Sequence, residues 1–168
     1  MKILLAILVL LIAIFIRLSF RSDDLLAEKE ASIPLSSENC LKRIKELSDY
    51  PRWMTSVMSV TVDGPVSDEN RNLRLLLVMD WGVLGGMELE GTASEINSNE
   101  FIIDLDNWLK LRLEFRVMPT SSLKSRLRFT VISLKNSIFH RLLVHPFARL
   151  YYTSWVTQAL LGFQLNYS

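Results

Sequence analysis

His140 and His145 are the two histidines of this chain, five residues apart just before Pro146. Two imidazoles on a helix share a metal at a spacing of four, and five spoils that geometry. They are expected at a helix surface or packed against a sheet edge. No Gly-x-Ser-x-Gly elbow, His-Glu-x-x-His pair or Ser-His-Asp order is present, so no catalytic residue, metal ligand or cofactor is expected. Among the strand carboxylates, Asp80 shares a face with Leu76 and Val78, which makes it the candidate for burial and for a raised pKa. Such a group could move protons, but one carboxylate is not a mechanism. Glu88 and Glu90 alternate with Met87 and Leu89 and should be solvated. Cys40 is the lone cysteine, which excludes an internal disulfide and reads as a buried structural thiol.

The apolar residues form a more abundant pattern than the polar ones. Leu73, Leu75, Leu77 and Met79 fall on one strand face, and Phe101, Ile103 and Leu105 on another. Leu109, Leu111, Leu113, Phe115 and Val117 alternate with Lys110, Arg112, Glu114 and Arg116, so that strand has one dry face and one wet face. Of nineteen basic residues, all but Lys2, Arg17 and Arg21 lie beyond Leu25; of eighteen acidic ones, all but Asp23 and Asp24 do. The remainder is neutral and carries no electrostatic footprint for nucleic acid.

These faces need elements to hold them. Residues 31–35 read as a first strand ended by Pro34. Ser36 or Ser37 can cap a helix to about Leu47, with Cys40, Leu41, Ile44 and Leu47 as its apolar stripe. Tyr50-Pro51-Arg52-Trp53-Met54 starts a second, shorter helical turn. Met58, Val60 and Val62 alternate in a strand that Asp63-Gly64-Pro65 should end. Further strands are expected over residues 72–80, 87–96, 100–106, 108–118 and 124–134. Asn136 or Ser137 opens a final helical segment to Phe163, which Pro146 must kink or restart. Trp81 to Gly86, with three glycines, reads as an apolar hairpin tip able to gate a pocket.

The beginning of the chain differs in kind. Ile3 to Ile16 is an unbroken apolar run, and its reach to Phe20 is about 27 Å at 1.5 Å per residue, enough to span a bilayer core. Residues 1–21 are expected to be an uncleaved membrane anchor; a cleaved signal sequence or an interfacial helix are the alternatives. Residues 22–29 then form a linker and residues 30–168 the folded domain. The basic flanks lean slightly toward a cytoplasmic domain.

The order strand, helix, helix, six strands, long helix, together with the Tyr-Pro-x-Trp-Met segment after a capped helix, resembles the START-like helix-grip superfamily (SRPBCC, the polyketide-cyclase and lipid-transport group). The resemblance implies an α+β fold in which an antiparallel curved sheet of about seven strands wraps on a long C-terminal helix. It also implies a cavity between the two for a hydrophobic ligand, such as a lipid, a quinone or a polyketide-like molecule. Leu111, Leu113, Phe115, Phe129 and Val131 would line it from the sheet, and Phe147, Leu150, Tyr151 and Trp155 from the helix. The entrance would lie near Trp53, Trp81, Val83 and Leu84.

Three functions compete. The first is a membrane-tethered carrier or chaperone for a hydrophobic small molecule or lipid, its partners being that ligand and the membrane. The second is a cyclase-like enzyme working in the same cavity. The third is a filled-core interaction module. A pocket without converging titratable groups favours the first, a buried Asp80 or histidine in the pocket the second, and dense packing the third.

Overall fold

The computed structural model describes residues 24–67, 70–80, 85–135, 137 and 139–167. The expected anchor of residues 1–21 lies outside them, as do Trp81, Val83 and Leu84. Among the described residues no helix is long and apolar enough to cross a membrane.

Strand β1 (Leu25–Ile33) leads into helix α1 (Ser37–Lys45), a 3-10 turn (Leu47–Asp49) and the short helix α2 (Tyr50–Trp53). Strands β2 (Val57–Ser67), β3 (Asn70–Asp80), β4 (Gly86–Asn97), β5 (Glu100–Leu105), β6 (Leu111–Ser121) and β7 (Lys124–Ser133) follow. A π-helical turn (His140–Val144) runs directly into α3 (His145–Tyr167). The sheet is antiparallel throughout, in the order β1-β7-β6-β5-β4-β3-β2. Seven strands curve around one long helix, so the expected α+β helix-grip architecture is present.

Local chemistry explains the elements. The Ser36 side chain accepts a hydrogen bond from the Asn39 N–H at 3.3 Å and caps α1. Pro51 sits in the first turn of α2, where its missing donor costs nothing. Alternation in β6 places Leu111, Leu113, Phe115 and Val117 inward and buried. Arg112 and Arg116 point outward, to Asp104 at 2.7 Å and Glu100 at 3.1 Å. Pro146 occupies the second position of α3, so the helix restarts there, as its ring requires.

The boundaries correct several expectations. β1 begins at Leu25, so residues 25–29 belong to the domain and not to a linker. Glu28, Lys29 and Glu30 are exposed on this edge strand, and their charge hides the strand from sequence. β2 continues through Gly64 and Pro65, because Gly64 takes φ +40° and the ladder shifts register there without stopping. Trp108 and Leu109 stand in the β5–β6 turn, ahead of β6.

The core is continuous and aromatic. Trp53 stands 4.7 Å from Tyr50 and 5.0 Å from Phe163 between ring centroids; Phe115 stacks on Phe129 at 4.5 Å, and Phe129 meets Trp155 at 5.5 Å. Gly162 lets α3 lie directly on α2: a Cβ there would come within 2.3 Å of the Trp53 carbonyl oxygen.

Candidate functional site

The inner sheet face expected to line a cavity is closed. Leu111, Leu113, Phe115, Phe129 and Val131 are all at most 2% exposed. A void able to admit water would leave accessible surface on its walls, and these side chains have essentially none. Trp155 closes over them from the helix and is itself buried. Trp53, expected at an entrance, is 1% exposed and lies in the aromatic core.

The helix also presents a different face than expected. Ala148, Tyr152, Trp155, Val156, Ala159 and Phe163 turn to the sheet, whereas Phe147 and Leu150 are 76% and 77% exposed. Of the four helix residues expected to touch ligand inside the grip, these two stand on its outer side, Tyr151 is 40% exposed, and Trp155 alone faces inward.

An open space is found at the mouth of the grip. A groove of about 340 Å³ runs between the β5–β6 turn and the start of α3. Trp108 and Leu109 form one wall; Leu143, Val144, Phe147, Ala148, Tyr151 and Tyr152 form the other. This volume is at the lower end of the range for small-molecule sites. The turn that carries Trp108 is held firmly. Asn107 Oδ1 accepts from the backbone N–H of Leu109 at 3.1 Å and of Leu111 at 3.2 Å, and Ser133 Oγ donates to the Leu109 carbonyl at 2.9 Å. Lys110 completes the turn at φ +47°. Two larger hollows are walled by charged groups and suit no apolar ligand: Asp63, Arg74, Glu90 and Asp106 line one, Glu38, Lys42, Lys45 and Glu95 the other.

The groove is nearly all hydrocarbon, with one buried exception. Tyr152 lines it at 2% exposure, and its hydroxyl has no hydrogen-bond partner among the described residues. Burial pushes that phenol well above its ordinary pKa, with Tyr151 adding to the effect, so it remains a donor. A buried hydroxyl without a partner is costly, and this one does not open into the groove. Sequence reading missed Tyr152. The available signal was the small and aromatic series Ala148, Tyr152, Val156 and Ala159 at helical spacing, which marks the inner face.

The remaining candidates do not converge on the groove. Asp80 is exposed, contrary to expectation, and Glu88 and Glu90 are solvated. The Cys40 thiol is buried and pushed up to about 11, mainly by desolvation. His140 bonds Ser137 Oγ through Nδ1 at 2.6 Å and lies 6.1 Å from the Trp108 ring. His145 is buried with Nε2 unpartnered; burial lowers its pKa, Arg149, Arg141 and His140 push the same way, and Asp24 opposes them.

The His145 shift predicts a pH dependence. With its folded pKa below the unfolded value of about 6.5, acid protonates the unfolded chain before the folded one. Stability present above about pH 6.5 is therefore lost as pH falls through 6.5 toward the folded value. Melting temperatures at pH 7.5 and 5.5 should diverge more for the parent protein than for His145→Gln. Equal drops in both would remove His145 from the acid response.

No protein-family model and no curated protein matches this chain. Solved structures do. A START superfamily protein from Mycobacterium smegmatis superposes with a TM-score of 0.64 at 12% identity, covering 84% of this chain and 98% of the other. A Thermus thermophilus protein gives 0.60 at 17% identity, covering 84% and 99%. The Zhui aromatase/cyclase from a Streptomyces species gives 0.59 at 8%, covering 82% and 87%. At these identities the likeness is one of fold, and the chain has the START-like helix-grip fold.

Proposed function

We propose that this protein is a non-catalytic carrier that takes a hydrophobic small molecule or lipid into the groove between the β5–β6 turn and α3. Residues 1–21 would tether the domain of residues 30–168, together with the first part of β1, to a membrane. The observation that carries the reading is a groove lined almost entirely by apolar and aromatic side chains. Such a site suits a predominantly apolar ligand. The fold shared with a START superfamily protein and an aromatase/cyclase supports a hydrophobic ligand without deciding its use. A cyclase-like reaction would need proton-transfer groups that converge on the ligand. Among the described lining residues the only groups with an exchangeable side-chain O–H are the phenols Tyr151 and Tyr152. The packed inner sheet face supports part of the filled-core reading and favours the mouth over the interior as the place for a ligand.

Organic extraction and mass spectrometry of the purified full chain test the reading. A hydrophobic molecule should be recovered from the parent protein and lost from Val144→Trp, which fills the groove. Equal recovery from Val144→Trp, or no recovery from any form, would end the carrier reading.

A further inference from the structure

Phe139, Leu143, Phe147 and Leu150 are each more than half exposed, at spacings of four, four and three along the helical segment. Trp108, 47% exposed, stands beside them across the groove. Single exposed apolar residues are ordinary, but a contiguous row of large ones marks a contact surface. The way the chain enters the domain identifies the occupant. Asp24 meets Arg141 at 3.4 Å, its carbonyl accepts from the Ser133 N–H at 2.8 Å, and Arg149 Nε donates to the Leu25 carbonyl at 3.0 Å. Both arginines lie on the helical segment that carries the apolar row. Only residues 17–23 separate Asp24 from the apolar run of residues 3–16, and seven residues reach at most about 25 Å.

We infer that this face of the helical segment, with Trp108 at its rim, seats on a lipid bilayer surface. The run of residues 3–16 is apolar enough for a bilayer and joins the domain where the exposed row begins. A helix with its apolar side turned outward lies in the interface plane, and tryptophan favours that depth. Leu143, Phe147 and Trp108 belong both to the row and to the groove walls, so seating would open the groove onto acyl chains. That last consequence rests on the proposed carrier function; the seating itself does not.

Spin labels on the full chain in lipid nanodiscs test the seating. Phe147→Cys and Leu150→Cys take labels on the row. Leu123→Cys serves as a control, because it lies in the turn at the far end of β7, about 30 Å away at strand rise. Cys40 is buried with a raised pKa and should stay unlabelled. Labels at 147 and 150 should collide readily with oxygen and poorly with a water-soluble nickel chelate, with the reverse at 123. Nickel access at 147 and 150 equal to that at 123 would overturn the inference. So would exclusion of both reagents, which would mean that the leader or a second copy covers the face. Neither reading depends on whether a ligand occupies the groove.

Discussion

Phe129→Ala should lower the unfolding free energy by about 3–5 kcal/mol, whereas Phe147→Ala should change it by less than about 0.5 kcal/mol. Phe129 is fully buried, stacked on Phe115 and met edge-on by Trp155. Its truncation leaves a cavity between sheet and helix that neither can collapse into without moving the other. Phe147 stands mostly in solvent at the groove wall, so its loss removes little buried area. Total stability of a domain this size is about 5–15 kcal/mol, so Phe129→Ala should leave a protein visibly close to unfolding. Urea titration of both variants separates the two sites. A mild effect at Phe129 would mean that the inner face is a true cavity wall, and the packed-interior description would fail.

Gly162→Ala should cost about 1–3 kcal/mol, opposite in sign to what helix propensity predicts. Replacing a mid-helix glycine with alanine ordinarily gains up to about 1 kcal/mol. Here the added Cβ would lie 2.3 Å from the Trp53 carbonyl oxygen and 3.1 Å from its carbon. Both are backbone atoms, and no side chain can rotate away to make room. The helix must lift off α2, loosening the contact of Trp53 with Phe163. A higher denaturation midpoint for Gly162→Ala would show that α3 and α2 do not touch as described.

Sequence alone made the wet and dry faces of β6 legible, because alternation over nine residues has one interpretation. It also exposed the N-cap of α1 and the restart at Pro146, each of which rests on local chemistry. The first half of β1 escaped because an edge strand can carry charge on both sides; Glu28-Lys29 looks like solvent-exposed linker until β7 is placed beside it. The orientation of α3 escaped for a different reason. Large apolar residues occur around its whole circumference, so hydrophobicity alone does not distinguish Phe147 and Leu150 from Tyr152 and Trp155. Only the small residues Ala148, Ala159 and Gly162, which permit close approach, mark the buried side. The groove depends on a turn and a helix start brought together across the fold, and no spacing along the chain encodes that meeting.

The hydrogen bonds from α3 to β1 also bear on how copies of this protein could associate. Arg149 takes the Leu25 carbonyl and Gln164 the Ser32 carbonyl, one near each end of the strand. An outer strand normally offers a row of unmet acceptors that another chain can zip onto. On β1 the row is claimed at both ends, and the exposed Glu28, Lys29 and Glu30 sit between them. A second molecule adding a strand here would have to displace Arg149 and Gln164 from those carbonyls and approach a charged margin. Edge-to-edge pairing of copies is therefore favoured at β2, on the opposite margin of the sheet.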